Sequence, residues 1–203
     1  MTRSRPSSPR CARSGNCWPD RGAGRQNHAM GELQFRAASD ADIDAIVRLV
    51  TRAYRGEASR AGWTTEADFL DGERIDSDVV RADIRQPRSR VLLALRDGAP
   101  LACAHVADTG GAGYFGMFAV EPTLQGGGIG RALLTECERI ARGEWGLPCM
   151  RMTVIDLRAE LIAWYQRLGY HRTGEHKPFP YGDARFGVPR RDDLRFEVLE
   201  KML

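Results

Sequence analysis

The chain has 203 residues, of which 42% are hydrophobic and 28% charged, a composition typical of a globular protein with one core. Its longest apolar runs, 91–95 and 101–106, are strand-sized and too short to cross a bilayer. The five cysteines show no C-x-x-C spacing, which excludes a disulfide framework or zinc site and favours a reducing, cytoplasmic compartment.

The positive charge is concentrated at the amino terminus. Residues 1–29 hold six of the 30 basic side chains and one of the 27 acidic ones, so the remainder carries a formal charge of −2. That balance argues against a nucleic-acid surface on the folded part. The Arg, Ser, Pro and Gly content predicts a disordered leader at 1–29 and a domain at 30–203. A start codon assigned upstream of Met30, a tail without function and a targeting or binding arm all stay open.

The first regular elements follow Met30. Alternating residues 33–37 predict a strand, and Ser39 with Asp42 forms a capping-box pattern before an amphipathic helix that ends near Tyr54.

The next segment predicts two further helices. Residues 62–70 indicate a loop entering a short helix capped by Thr64 or Thr65, and Ser77 is expected to cap a second helix that ends at Arg85.

The rest of the chain alternates between strands and helices. Strands are predicted at 90–95, 101–107, 113–120, 149–155 and 194–199, with an Asp97-Gly98 hairpin turn between the first two. Helices are predicted at 128–142 and 159–168.

A glycine-rich loop joins the strand at 113–120 to the helix that follows it. It contains Gln125, Gly126, Gly127, Gly128, Ile129, Gly130 and Arg131. Without Cβ atoms, several amides can converge on one anion at a helix start, and Arg131 is available as a side-chain partner. The spacing fits neither the G-x-G-x-x-G dinucleotide motif nor the P-loop, so a pyrophosphate held in another way is predicted.

The pattern of Gln125, Gly128 and Gly130 after a strand resembles the acetyl-CoA signature of GNAT N-acetyltransferases, and the resemblance covers nearly everything after Met30. It implies that Phe118, Ala119 and Val120 offer main-chain groups to pantetheine, while the amides of Gln125 to Arg131 hold the pyrophosphate. It also implies that acetyl-CoA binds where two neighbouring parallel strands, 115–120 and 150–155, splay apart.

The segment 158–170 is similar to the family's second cofactor element, Asn-x-x-Ala-x-x-x-Tyr followed by Gly-Tyr. Tyr165 matches the tyrosine that supplies a proton to the departing thiolate. Arg158 and Leu161 stand where the family has Asn and Ala, so the contacts of those two positions do not carry over.

The acceptor side is less well defined. Tyr114 stands where some members have a glutamate base, and His105, Glu66 and Asp68 are the alternative candidates. Trp63 with Glu66 is interpreted as an aromatic and anionic amine pocket. Phe179 and Tyr181, in a proline-flanked loop, are interpreted as closing over the acceptor. Ordinary packing or capping stays open for each of them.

The predicted fold is α/β, with a GNAT-like mixed, largely antiparallel sheet, helices on both faces and a splayed parallel strand pair. The predicted activity is direct transfer of acetyl from acetyl-CoA to a primary amine of a small molecule or peptide, without metal, nucleic-acid or membrane partners. A non-catalytic acyl-CoA-binding or regulatory protein is the alternative. The acceptor, the acyl chain preference and a homodimeric assembly stay open.

Overall fold

The structure, a computed structural model, describes residues 31–72, 74–183 and 187–203, so the predicted leader at 1–29 lies outside the described residues. The strands are β1 (Gln34–Ala37), β2 (Leu70–Asp71), β3 (Ser89–Arg96), β4 (Ala99–Asp108), β5 (Gly113–Val120), β6 (Cys149–Ile155), β7 (His171–Pro178), β8 (Val188–Pro189) and β9 (Arg195–Met202). The α-helices are α1 (Ile43–Tyr54), α2 (Gly56–Ser59), α3 (Ser77–Arg85), α4 (Ile129–Arg139) and α5 (Ala159–Arg167). None of these described helices is long and apolar enough to span a membrane.

Seven strands form one sheet in the order β1–β3–β4–β5–β6–β9–β7, and β2 pairs separately with β8. Every neighbouring pair in the large sheet is antiparallel except β5 and β6, which run parallel. That pair is registered only at Gly113 with Met150 and at Tyr114 with Arg151. The two strands therefore diverge towards their carboxyl ends, and the predicted splay is confirmed.

Alternation along β3 builds two cores, one on each face of the sheet. Leu93 packs in a cluster with Ile46 of α1 and Val80 of α3, whereas its neighbour Leu92 belongs to a cluster with Leu133 of α4 and Ile162 of α5. The predicted arrangement of helices on both faces is confirmed.

Two predicted helix starts differ from the structure. Asp76, and not Ser77, caps α3, because its Oδ1 atom accepts the amides of Asp78 and Val79 at 2.8 and 2.9 Å. The expected short helix after Thr65 is one turn only, in which the amides of residues 69 and 70 both bond to the carbonyl of residue 66 at 2.9 Å. The chain cannot continue as a helix there because residues 70–71 form β2.

The capping box that opens the first helix is present. The side chain of Asp42 accepts the Ser39 amide at 2.8 Å, and a 3₁₀ turn at Asp40–Asp42 leads into α1. Helix α4 continues beyond its carboxyl end as a π-helical turn at Ile140–Glu144. The combined helix ends close to residue 142, where the sequence predicted its end.

Strand β7 is absent from the sequence-based prediction. Every residue of this edge strand is exposed, so it carries no alternation of apolar and polar side chains by which it could be recognised. It pairs with β9 through a register shift between Arg172 and His176.

Candidate active site

The glycine-rich loop follows the end of β5 and a 3₁₀ turn at Pro122–Leu124. Gly128 is the N-cap of α4 and supplies no side-chain cap. Within the described part of the chain, the amides of residues 126–131 donate to no other residue, and the first helical bond runs from the Ala132 amide to the Gly128 carbonyl at 3.0 Å. Free amides at the positive end of a helix dipole form a site suited to an anion.

Two glycines of the loop have left-handed backbones, since φ is 82° at Gly126 and 83° at Gly128. Gly130 has a different requirement. A Cβ atom at that position would lie 2.9 Å from Cζ of Phe118 and 3.3 Å from Cγ2 of Val120, so glycine lets α4 approach the end of β5. The loop therefore exposes its amides while its helix packs tightly behind them.

A cavity of about 270 Å³ runs along this loop, and we refer to it as the cofactor-side cavity. Eight of the ten predicted cofactor contacts line it: Phe118, Ala119, Val120, Gln125, Gly126, Gly128, Gly130 and Arg131. Gly127 lies within the same loop, and the side chain of Ile129 is buried in the core with α4. The unpaired amides at this helix start suit a bound phosphate or diphosphate group.

Trp63 was predicted to lie on the acceptor side, but the structure places it in the cofactor-side cavity. Its ring lies 6.4 Å from that of Trp164, and its amide donates to Oε1 of Gln125 at 3.0 Å. Nε2 of Gln125 in turn donates to the carbonyl of Val120 at 3.3 Å. The Gln125 side chain thus ties the loop that carries Trp63 to the end of β5.

A second cavity of about 400 Å³, the acceptor-side cavity, opens between the diverging strands β5 and β6 and beside α3. Tyr114 lines it, as predicted from its strand position. The two cavities share four lining residues: Tyr54, Phe118, Arg158 and Leu161. A group bound at their junction is therefore within reach from both sides of the splay.

Tyr165 of α5 lines the acceptor-side cavity and is 4% exposed. Its ring packs against those of Phe118, Trp164 and Tyr170, with centroids 5.0 to 6.5 Å apart. No described residue hydrogen-bonds to its hydroxyl, which leaves that group available to a ligand. Burial raises the pKa of Tyr165 well above its usual value near 10, so the phenol stays protonated at neutral pH.

Glu66 is not an open anionic pocket, contrary to the sequence-based interpretation. It is 5% exposed, and its carboxylate lies 2.8 Å from Arg55, 3.0 Å from Arg158 and 3.4 Å from Arg74. Although burial acts in the opposite direction, the three guanidinium groups hold the pKa of Glu66 below its usual value. Glu66 therefore stays ionised and is a poor proton acceptor.

Tyr54 connects this arginine cluster to the splayed strand. Its hydroxyl donates to the carbonyl of Phe118, while the guanidinium groups of Arg74 and Arg158 lie 5.0 and 5.6 Å from its ring centroid. Nη2 of Arg158 also donates to Oγ1 of Thr64 at 2.6 Å. Sequence reasoning noted Arg158 only as a departure from the family pattern. It missed Tyr54, whose hydrogen-bond partner is 64 residues away, and it missed Arg74, which belongs to no motif.

Asp83 is a further lining residue that the sequence did not reveal, since it lies on a helix face with no motif around it. Burial raises its pKa to about 6. Its carboxylate lies 3.5 Å from Nδ1 of His105, whose Nε2 is 2.8 Å from the Ser89 hydroxyl. Because that hydroxyl also donates to the Asp83 carbonyl at 2.6 Å, Nε2 carries a proton and Nδ1 faces the carboxylate as an acceptor.

The other two base candidates from the sequence differ in their surroundings. Burial lowers the pKa of His105 to about 4, and the ring lies behind Tyr114 with centroids 5.5 Å apart, so it does not line the cavity. Asp68 is exposed, pairs with Arg60 at 2.9 Å and lines neither cavity.

Phe179 and Tyr181 do not close over the acceptor-side cavity. Phe179 is 5% exposed and packs with Leu70, Ile155 and Leu194. The Tyr181 hydroxyl accepts the amide of Leu194 at 2.6 Å. Phe179 and Tyr181 therefore anchor the segment that precedes β9, which packs around the separate hydrophobic cluster that contains Phe179 and Leu194.

Neither a metal nor a cysteine nucleophile is indicated by the residues that the structure describes. They contain no group of three His, Cys, Asp or Glu side chains arranged to hold an ion. Cys103, Cys137 and Cys149 are free and buried, and none lines either of the two cavities. Burial raises the pKa of Cys103 to about 12 and that of Cys137 further, which keeps both thiols protonated.

The fold is the one shared by N-acetyltransferases of known structure. The fold is similar to the ribosomal-protein-S18-alanine N-acetyltransferase from Escherichia coli, with a TM-score of 0.62 and 16% identity over 84% of this chain and 94% of that one. It is equally similar to yncA from Salmonella typhimurium, solved with its cofactor acetyl-CoA, with a TM-score of 0.62 and 21% identity over 85% and 95% of the two chains.

The chain belongs to the Acetyltransferase (GNAT) family, whose sequence profile matches residues 43–170. A relative described as IAA acetyltransferase, from Azospirillum brasilense, is 38% identical over 102 residues. The match covers 49% of this chain and 64% of that protein, so the chain spans less than two thirds of the relative's length. The predicted family, fold and acyltransferase class are confirmed.

Proposed function

We propose that the protein transfers acetyl from acetyl-CoA to a primary amine of a small molecule by direct attack in a ternary complex. The observation that carries this proposal is the junction of the two cavities at Tyr54, Phe118, Arg158 and Leu161. Acetyl-CoA supplies an activated thioester, which at that junction is open to an amine arriving from the acceptor side. The acceptor-side volume of about 400 Å³ suits a small molecule better than a peptide segment.

The cofactor-side residues divide into two groups in this proposal. The free amides of residues 126–131 and the side chain of Arg131 hold the diphosphate, as the helix start favours. The main chain of residues 118–120 lies along the pantetheine arm. The carbonyls of Phe118 and Val120 each already accept one hydrogen bond, from Tyr54 and Gln125, and each keeps a second lone pair for that arm.

The amine must lose a proton before it can attack. An amine with a pKa near 10.4 is neutral in roughly one molecule per thousand at pH 7, a penalty of about 4 kcal/mol. Asp83 is the proposed base, directly or through one water, because it is the lining carboxylate whose pKa lies near neutrality. His105 stands behind it with an acceptor nitrogen 3.5 Å away and can share the proton.

Tyr165 is proposed to stabilise the departing thiolate. The residue lines the acceptor-side cavity next to Phe118, and its hydroxyl has no hydrogen-bond partner among the described residues. Since burial raises the pKa of Tyr165 and a thiol pKa is near 8.5, complete proton transfer from the phenol is uphill. We therefore assign it a hydrogen bond to the sulfur. The ammonium loses two protons in the reaction: Asp83 takes one before the attack, and the one lost from the nitrogen after the attack protonates the thiolate.

The folded domain is proposed to extend over residues 30–203, and the reaction to take place in the cytoplasm. Three described cysteines that are both free and buried support a reducing compartment. The acceptor is proposed to be a soluble small molecule, with a peptide amine as the alternative.

The test is a thiol-release assay with acetyl-CoA and a broad panel of amines, alongside calorimetry with coenzyme A. Amine-dependent release and a product heavier by one acetyl group are expected. Coenzyme A binding without release for any amine would favour a non-catalytic acyl-CoA-binding protein. Absence of both would contradict the proposed cofactor site.

A further inference from the structure

The positive charge beside Glu66 exceeds what one carboxylate neutralises. Arg55, Arg74 and Arg158 all lie within 3.4 Å of it, so among the described residues three cations surround one anion. Among the residues that the structure describes, no other carboxylate lies within 4.0 Å of these three guanidinium groups. Arg74 and Arg158 line the acceptor-side cavity beside Glu66, so the guanidinium charge that Glu66 does not compensate can attract an anion to that part of the cavity.

One of these arginines, Arg74, has hydrogen-bond donors to offer. It contacts Glu66 through Nε, its side chain is 27% exposed, and its two Nη groups have no described partner. Arg158 is 8% exposed, its Nη groups already donate to Glu66 and Thr64, and its Nε is buried. Both residues line the acceptor-side cavity. A planar guanidinium fork matches the geometry of a carboxylate or a phosphonate.

The α3 side of the same cavity has the opposite character. Asp76 and Asp83 line it, but Oδ1 of Asp76 already accepts two backbone amides as the cap of α3. Asp83 is the carboxylate left to face an ammonium group. The cavity therefore has a cationic region at Arg74 and Arg158 and an anionic region at Asp83.

We propose that the acceptor is an anionic amine, such as an amino acid or an aminophosphonate, whose acidic group is bound by Arg74. This inference rests on the proposed function and names the substrate class of the same site. Arg74 holds the carboxylate or phosphonate, and the amine lies towards Asp83 and the cavity junction. A diamine offers no acidic group to Arg74, so polyamines are disfavoured acceptors.

The experiment compares matched acceptors with one skeleton and one amine. Each amino acid is assayed for thiol release at pH 8 beside its carboxamide, and aminoalkylphosphonates form a second anionic series. The carboxamide is the weaker base and has more neutral amine at this pH, so its chemistry is favoured. A kcat/KM at least about 10-fold higher for the acid is expected, which binding of the acidic group must then provide.

The variant Arg74→Gln tests the residue itself. It is expected to lower kcat/KM for the acid by about 10- to 100-fold, mainly through KM, and to lower that for the carboxamide much less. Arg81→Gln is the matched control, because Arg81 is an exposed arginine of α3 that pairs with Asp78 at 2.5 Å and lines neither cavity. It should leave the ratio of acid to carboxamide unchanged.

The outcomes separate this inference from the proposed function. Turnover of carboxamides that equals or exceeds turnover of the acids, or an equal loss on both in Arg74→Gln, overturns the inference and leaves the function standing. If no amine is acetylated, calorimetry of the acids with the chain and coenzyme A decides. Acid binding that Arg74→Gln abolishes supports the inference, and no binding rejects it. Arg74→Lys, which keeps the charge without the fork, should give an intermediate ratio if Arg74→Gln fails to fold.

Discussion

Glu66→Gln is expected to destabilise the protein far more than its nearly identical volume suggests. The glutamate accepts hydrogen bonds from Arg55 at 2.8 Å and Arg158 at 3.0 Å, and Arg74 lies 3.4 Å away. Glutamine keeps one acceptor oxygen but turns an NH₂ group towards guanidinium donors. The side chains of Glu66, Arg55 and Arg158 are at most 8% exposed, so the variant leaves cations that solvent does not screen.

Breaking a buried ion pair on one side costs about 3–5 kcal/mol. For a domain of this size, 1 kcal/mol corresponds to roughly 2–4 °C in Tm, so a fall of about 6–20 °C is expected. Asp68→Asn is the matched control, because Asp68 pairs with Arg60 at 2.9 Å but the two side chains are 60% and 44% exposed. An exposed pair contributes about 0–1 kcal/mol, which is less than about 4 °C.

The pH dependence of this difference gives a second check. Because the pKa of Glu66 is lowered in the folded state, its stabilisation is present above the unfolded value of about 4.3 and is lost as the pH falls through the folded value. The gap in Tm between wild type and Glu66→Gln should therefore be full at pH 7 and narrow below about pH 4. Thermal denaturation followed by circular dichroism measures it. If Glu66→Gln has the same Tm as Asp68→Asn at pH 7, the reasoning is refuted.

Three further predictions concern the reaction and its loop. Tyr165→Phe should lower kcat by about 10²-fold with coenzyme A affinity nearly kept. Tyr170→Phe should turn over normally, because the Tyr170 hydroxyl donates to Glu138, which lines neither cavity; equal rates for the two variants would remove the assigned role. Asp83→Asn should abolish the rise of kcat/KM through about pH 6, and an unchanged pH profile would exclude Asp83 as the base. The variant should also melt at a higher temperature than wild type above pH 6 but not below pH 4, because the raised pKa of Asp83 means that its ionised carboxylate destabilises the folded protein. Gly130→Ala should weaken coenzyme A binding, because its Cβ meets Phe118 at 2.9 Å, while Gly143→Ala has open space and should bind normally by calorimetry.

The fold was predictable wherever a local pattern carried it. The limits of β5 and β6 match the predicted 113–120 and 149–155, because each strand is bounded by turn residues and buried along much of its length. The glycine-rich loop was recognisable because Gly126 and Gly128 need positive φ and Gly130 needs room for Phe118. These requirements act on the residue itself and are therefore visible in sequence.

The acceptor side was not predictable in the same way. The residues next to Glu66 in sequence do not show whether its carboxylate faces a ligand or three arginines. Two of those arginines lie 11 and 92 residues away in sequence. Trp63 lines the cofactor-side cavity because its amide donates a hydrogen bond to the side chain of Gln125, which is 62 residues further along the chain. Long-range side-chain pairing decides such positions, and no spacing rule records it.

The arginine cluster has a structural task that explains why a substrate-binding region is also part of the framework. Divergence of β5 from β6 removes the ladder bonds between them beyond Tyr114, so the gap needs support from elsewhere. Glu66 joins Arg158, at the start of α5, to Arg55 after α1, and Tyr54 secures the carbonyl of Phe118 on the splayed strand. The same contacts that support the gap also fix the guanidinium groups inside it. An anionic acceptor then meets a preorganised site, and little ordering of side chains opposes its binding.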